Sequence, residues 1–394
     1  MTTPSSASET GITLEVFTPL VQGEEPIGSI TSDVDSYTHS IAANGGYMSA
    51  SFTINGNRET VEDWVEFGLG RHVRAHAPDG RIIWEGFVDT VSATIGGITT
   101  TRGPLVNICN RVSVMYTPII ENSTGTSTTQ PITGTPTETV IVEDTDSQRK
   151  YGIWEKVINS GNMLPDDAEF LRDLFLVENA YPDGNCTISF GGETNSLSVT
   201  VTCKGYIEWL GYVYNDVTLD ISTTVTAKLE DVIDADPNNL FSSSASATTI
   251  DTNMVLAHQW EDQNRTAITI INELVSYGGG ADDRWLFGIY GNRIVHFNQA
   301  PTAVEYVYYV LDNSQHIETM TGETIHPWDI LPGKWISMLD LMYGSTVTSI
   351  DAHGDTRSFF IEQVDFTAPN TVSINGQKVR KLPQYLARMG LGGV

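Results

Sequence analysis

Residues 47–54 alternate without a break, with Met48, Ala50, Phe52 and Ile54 on one side and Tyr47, Ser49, Ser51 and Thr53 on the other. A period of two over that length specifies a strand with one buried face, and a chain that repeats it between turn residues is committed to antiparallel sheet. The same style returns downstream. Pro78-Asp79-Gly80 marks a turn, a long strand is predicted from Arg81 to Ile95 with a bulge at Gly86, and Gly96-Gly97 turns the chain into a further strand toward Leu105 and Val114. Helical spacing interrupts once: Val61, Trp64, Val65 and Leu69 share a face, Thr60 with Asp63 resembles a capping box, and Gly68 and Gly70 end the helix. Residues 1–118 therefore read as a mostly antiparallel sheet or barrel with one short helix.

From Asn122 to Thr139 the chain is almost entirely Ser, Thr, Gly, Pro, Asn and Gln, so 119–147 is predicted to be a linker or long loop. Helical spacing resumes at Trp154, Val157 and Ile158, and Pro165-Asp166-Asp167 opens a second helix carrying Ala168, Leu171 and Phe175. Alternating Leu197, Val199 and Val201 predict a strand that leads into the aromatic segment Tyr206 to Tyr214, which makes 148–230 a mixed α/β middle domain. In 231–394, Asp262 or Asn264 caps a helix with Ala267, Ile270, Ile271, Leu274 and Val275 on one face, stopped by Gly278 to Gly280. A hairpin follows, Trp285 to Tyr290 and Arg293 to Phe297 about Gly291-Asn292, and then strands at 303–311, 346–351, 357–366 and 371–381, the last broken by an Asn375-Gly376 turn. The fold class is mainly β (α+β), with two antiparallel barrel-like modules, each with a short helix, on either side of the middle domain.

With 394 residues the chain exceeds one ordinary core. Lys and Arg number 21 against 49 Asp and Glu, a net charge of −28, and a surface that acidic repels phosphate backbones and excludes a nucleic-acid clamp. No stretch reaches the roughly 20 apolar residues of a membrane span, and the segment from Met1 to Ser6 lacks the basic and apolar regions of a signal peptide. The expectation is a protein made in a cytoplasm without membrane insertion of its own. Cys109, Cys186 and Cys203 are too few and too scattered for a disulfide scaffold or a metal knuckle; buried free thiols are expected, with one Cys186–Cys203 bridge as the alternative.

Catalytic motifs are absent from the sequence: there is no nucleophile elbow, phosphate-binding loop or dinucleotide fingerprint. His72 and His76 alone have ligand-like spacing, but on an extended strand they stand too far apart for one metal. Asp234 to Asn238 begins like a calcium loop without completing it, and reads as an acidic turn. No catalytic, metal or cofactor residues are assigned, and the chain is read as non-enzymatic. The acidic pairs and the tryptophans Trp84, Trp260, Trp285, Trp328 and Trp335 leave a β-sandwich carbohydrate-active enzyme as the least favoured alternative.

Two stretches carry a resemblance. Thr60-Val61-Glu62-Asp63-Trp64, Gly68-Leu69-Gly70-Arg71, Asp79-Gly80 and Trp84-Glu85-Gly86-Phe87-Val88 resemble the tube-type domain of bacteriophage tail proteins. His326-Pro327-Trp328-Asp329-Ile330-Leu331-Pro332-Gly333-Lys334-Trp335-Ile336 resembles the Pro-Trp-Asp corner of phage minor tail and baseplate (tail-tip) hub proteins, and Phe360 to Asn370 continues it. Leu331 stands where that corner carries arginine. The resemblance covers about two thirds of the chain. It implies a structural virion protein assembled in the host bacterial cytoplasm, a trimer or hexamer ring that closes or extends the tail tube and lets DNA pass on infection. Its implied partners are itself, the tube or distal tail protein, the tape measure protein and other tail-tip or fibre proteins. Trp64, Arg71, Trp84 and Glu85, and Trp328, Asp329, Lys334 and Trp335, are the implied interface residues, with core packing as their other reading. The alternative within the virion is a distal tail or receptor-binding component whose middle domain contacts glycan.

Overall fold

The computed structural model describes residues 11–30, 34–120, 132–188, 197–215, 223–256, 265–276, 284–311, 314–340 and 358–377. Strands dominate from the start: β1 (Thr13–Phe17), β2 (Pro26–Ser29), β3 (Val34–Ala42) and β4 (Gly45–Asn55) precede the helix α1 (Arg58–Phe67), and β5 (His72–His76), β6 (Ile82–Ile95), β7 (Ile98–Arg102) and β8 (Arg111–Ile120) follow it. Along β4 the predicted alternation holds at Ala50, Phe52 and Ile54 but reverses at its start, where Tyr47 is buried and Met48 half-buried. The pairing of β4 with β3 shifts register opposite Ser40 and Ile41, and a one-residue slip exchanges the two faces of a strand. The cap of α1 is Asn57, whose side chain accepts the Thr60 amide at 2.9 Å, so Thr60 lies inside the first turn and not at the cap.

β6 runs for 14 residues and is buried almost without alternation from Ile83 to Val88. β5 and β7 lie end to end along one of its edges and β14 (Leu197–Gly205) along the other. Continuous burial is what a strand covered on both faces shows. The bulge expected at Gly86 falls instead at Asp89, between the Thr202–Thr90 and Cys203–Val88 pairs. Gly86 has a different duty, because a Cβ there would stand 2.2 Å from the Lys204 carbonyl oxygen.

In the middle of the chain β8 organises a second sheet. The two-residue strands β9 (Ile132–Thr133), β10 (Thr137–Glu138) and β11 (Val142–Glu143) pair antiparallel with it, so the end of the predicted linker runs against β8. After α2 (Thr145–Tyr151), residues expected to be helical form instead the strand β12 (Glu155–Met163), parallel to β8. Three apolar positions at helical spacing were too short a signal, and β-branched Val157 and Ile158 suit a strand beside β8 better. α3 (Pro165–Asn179) starts at the predicted proline and packs Ala168 and Leu171 with Val114 and Tyr116 of β8. β13 (Gly184–Ile188) then extends the main sheet at β7, with Cys186 exposed and not buried as expected, while Cys109 and Cys203 are buried; all three thiols are free.

The last part contains β15 (Tyr214–Asn215), α4 (Val225–Asp234), β16 (Arg265–Thr266) and α5 (Ala267–Ser276). α5 buries Ala267, Ile270, Ile271 and Leu274, the stripe read from the sequence; its expected caps at Asp262, Asn264 and Gly278 to Gly280 lie outside the described residues, as does the strand at 346–351. The hairpin β17 (Trp285–Tyr290) and β18 (Ile294–Gln299) turns through Asn292 and Arg293, both at positive φ. β19 (Val304–Leu311), β20 (Ser314–Thr319), β21 (Thr324–Ile325), β22 (Trp335–Asp340), β23 (Ser358–Thr367) and β24 (Thr371–Gln377) complete the chain. Asn375-Gly376 is not a turn: β24 runs through it, opposite a bulge that leaves Glu362 of β23 unpaired.

One sheet joins the two ends of the chain. β23 takes β24 along one edge and, along the other, β22 followed by β3, with Gln363 to Thr367 set against Ala42 to Thr38. From β3 the order continues through β4, β14, β6, β5 and β1 to β2. The class is thus mostly β with helices, as expected. Among the described residues no pairing closes either large sheet into a barrel, and none of the described helices is long and apolar enough to cross a membrane. The largest core runs from Ile12 to Phe297 and takes in Phe366, a smaller one is built from β19, β20, β22 and β23, and the third lies under α3.

Candidate functional site

β5 carries His72, Arg74 and His76 at every second position, with Val73 and Ala75 buried between them. A period of two therefore puts three cationic or titratable groups along one side of a strand. Opposite them β6 supplies Glu85, which is 1% exposed. Arg74 Nε lies 3.2 Å from Glu85 Oε1 and its other end meets Glu24 Oε1 at 2.5 Å. Arg293, from the β17–β18 turn, reaches Glu24 at 3.4 Å and Glu85 at 3.5 Å, and its backbone amide donates to Glu85 Oε2 at 3.3 Å. Two carboxylates and two guanidiniums thus alternate, and they tie the β17–β18 turn to strands more than 200 residues earlier.

His72 completes the cluster. It is fully buried, 2.6 Å from the Tyr206 hydroxyl through Nδ1 and 3.2 Å from Glu85 Oε1 through Nε2. Burial pushes the Tyr206 hydroxyl well above its ordinary range, so it stays protonated, within hydrogen-bond reach of His72 Nδ1 and 3.5 Å from the Gly86 carbonyl oxygen, while Nε2 faces Glu85. Burial also lowers the His72 pKa, against the opposing pull of Glu85, so the neutral ring is the resting form. For Glu85 burial alone would favour the acid, but the contact with His72 and the charges of Arg74 and Arg293 outweigh it and hold the carboxyl below the usual range. A buried, fully ionised acid with matched partners fastens a fold, and removing one partner would leave an uncompensated charge.

A second polar link lies at the Pro-Trp-Asp corner. Arg81, at the start of β6, meets Asp329 at 2.7 Å and Asp79 at 2.6 Å. The cation that meets Asp329 thus comes from 248 residues earlier in the chain. Trp328 stacks on His326 with ring centres 4.7 Å apart, and Lys334 pairs with Glu305. The Trp335 indole donates to the Pro301 carbonyl at 2.8 Å. These four corner residues remain partly accessible.

The other four expected interface residues are placed differently. Trp64 is 3% exposed and edge-on to Phe52. Arg71 lies over the Trp64 ring at 4.9 Å and meets Asp63 at 2.8 Å. Trp84 and Glu85 are wholly enclosed by this chain, on the stretch of β6 that is buried on both faces. Glu24, Arg74, Arg293 and Tyr206 were not legible in the sequence as members of the cluster, for which the alternation His72, Arg74, His76 was the available signal. Asp236 of the incomplete calcium loop accepts the Asn238 and Leu240 amides at 3.0 and 2.7 Å, closing the turn after α4. Among the described residues no group of three or more metal-ligating side chains gathers.

No protein-family model matches the chain, and no curated protein matches it in sequence. Two solved structures are similar over nearly its whole length. One is the tail protein from Neisseria meningitidis MC58, at 8% identity and a TM-score of 0.41, covering 94% of this chain and 97% of that one. The other is the 43 kDa tail protein of prophage MuSo2 from Shewanella oneidensis, at 8% identity and a TM-score of 0.40, covering 93% and 97%. Likenesses this shallow carry no inference about function, which rests on the residues themselves.

Proposed function

We propose that this chain is a structural, non-enzymatic subunit of a phage tail tip, and that three or six copies form a hub ring that closes or extends the tail tube. The observation that carries the reading is the meeting of the two family-like segments: Asp329 of the Pro-Trp-Asp corner pairs with Arg81 at the head of the strand that holds Trp84 to Val88. The open sheet gives the ring its means of assembly. β2, β13 and β24 each have one strand partner among the described residues, and neighbouring copies that add to such strands would extend the sheet between subunits. In sequence the linker 119–147 and the middle region 148–230 separate modules 1–118 and 231–394, although β13 and β14 of that region pair with strands of the first. A charge of −28 suits a conduit that must not hold passing DNA.

Of the eight interface residues, Trp328, Asp329, Lys334 and Trp335 are the contact candidates, while Trp64, Arg71, Trp84 and Glu85 shape the module behind them. The partners on this reading are further copies, the tube or distal tail protein, the tape measure and other tail-tip or fibre proteins, and the place of action is the virion. Lys334→Glu tests it: the variant is expected to fold and to lose ring assembly in sedimentation and negative-stain images. Assembly equal to the wild type would remove Lys334 from the interface.

A further inference from the structure

α3 has two apolar faces and the fold uses one. Ala168, Leu171 and Phe175 turn inward, whereas Phe170, Leu174 and Val177 stand 69%, 41% and 80% exposed, and Tyr181 just beyond the helix is 49% exposed. Their spacing of i, i+4, i+7 and i+11 is one continuous outward stripe. Surface helices rarely expose four large apolar side chains in a row, and a contiguous patch of this kind marks an interaction site.

The surroundings of the stripe are acidic. Helical geometry sets Asp166 and Asp173 along one flank and Asp167 and Glu178 along the other. The one base of α3, Arg172, is turned inward, bonded to Asp173 and to the Val140 carbonyl at 2.9 Å. Beside Leu176, Val177 and Tyr181 lies a shallow groove of about 490 Å³ whose far wall is Glu143, Asp144 and Asp146. Asp144 caps α2 and Asp146 pairs with Arg149, so part of that charge is held locally. The remaining acids of α3 face solvent around the apolar stripe.

We propose that this stripe and its acidic groove are a docking surface for a basic amphipathic helix of another protein, one with apolar residues at i, i+3 or i+4 and i+7 flanked by lysine or arginine. Charge selects the occupant. A second copy of this chain would bring the same acids to the same face under a net charge of −28, and an anionic membrane would be repelled. A cationic helix satisfies both halves of the surface, its apolar face covering Phe170, Leu174 and Val177 and its bases meeting Asp166, Asp167 and Glu178. The inference stands apart from ring formation and gives the middle region a protein partner.

The test uses the full chain and a fluorescein-labelled leucine/lysine amphipathic peptide read by anisotropy. Peptides of the same pattern with glutamate for lysine, or serine for leucine, serve as controls. The leucine/lysine peptide is expected to bind, and Phe170→Ser/Val177→Ser is expected to weaken it by about tenfold or more with circular dichroism unchanged. Asp167→Asn/Glu178→Gln is expected to weaken it less and to flatten its salt dependence. The proposal is overturned if the leucine/lysine peptide does not bind, if the lysine/serine peptide binds as well, if Phe170→Ser/Val177→Ser binds like the wild type, or if the chain instead self-associates through Phe170 and Val177.

Discussion

His39 sits on the seam where the end of the chain joins its beginning, and acid should open that seam. On β3 it faces Phe366 of β23 across the pair that links the two ends, with ring centres 5.1 Å apart and nearly stacked. Its Nδ1 is 3.1 Å from the Tyr37 hydroxyl, and the side chain is 4% exposed. Burial pushes its pKa down to about 3. The unfolded chain therefore takes up a proton near the ordinary histidine pKa of about 6.5 while the folded one does not, and stability falls as pH drops below that value. At pH 5 the difference is about 1.5 units, or roughly 2 kcal/mol lost relative to neutral pH. His72 and His296 are also lowered, chiefly by burial, and act in the same direction, so the contribution of His39 is isolated with a variant. His39→Phe keeps an aromatic ring against Phe366 and loses the Tyr37 contact equally at every pH. Urea denaturation at neutral pH and at about pH 5 should show the wild type losing about 2 kcal/mol more than His39→Phe. Parallel losses in the two proteins would refute the assignment of a neutral, buried His39 to the seam.

Three further outcomes are expected. Gly205→Ala should cost about 3 kcal/mol or more, because a Cβ there would stand 1.7 Å from the Tyr47 carbonyl oxygen; an unchanged melting temperature would contradict that close approach. A double-mutant cycle on Arg81→Ala and Asp329→Asn should give a coupling below about 1 kcal/mol, since the Arg81 side chain is 61% exposed, and a much larger coupling would mean the pair is drier than described. Arg71→Glu, unlike Lys334→Glu, should destabilise the single chain, because it sets a buried acid beside Asp63 and removes the cation from the Trp64 ring; full stability in denaturant would contradict this.

Strand content, the helices α1, α3 and α5 and the β17–β18 hairpin were legible because each rests on local periodicity or local turn chemistry, whereas α4 was not read. α5 is the clearest case, with four of its five stripe residues buried and Val275 half-buried. Residues 154–158 were misread because the spacing of three apolar side chains does not distinguish a helix from a strand whose neighbour lies 44 residues away in β8. The bulge positions were also hidden, since a bulge belongs to a pair of strands and Asp89 is extra only with respect to β14. Glu85 was expected at an interface from the resemblance, and no local pattern showed it to be buried. Its burial depends on Arg74, two residues from His72, and on Arg293, 208 residues away, and only folding brings the latter to it. The second stripe of α3, Phe170, Leu174 and Val177, was not read from the sequence, which cannot show which of two apolar stripes stays uncovered.

The central claim is that this chain works as a ring. Native mass by light scattering, with negative-stain images of the same fraction and of that fraction mixed with tail-tube protein, tests it most directly. A trimer or hexamer with a central hole, alone or capping the tube, is expected. A monomer at high concentration that also fails to join the tube protein would contradict it.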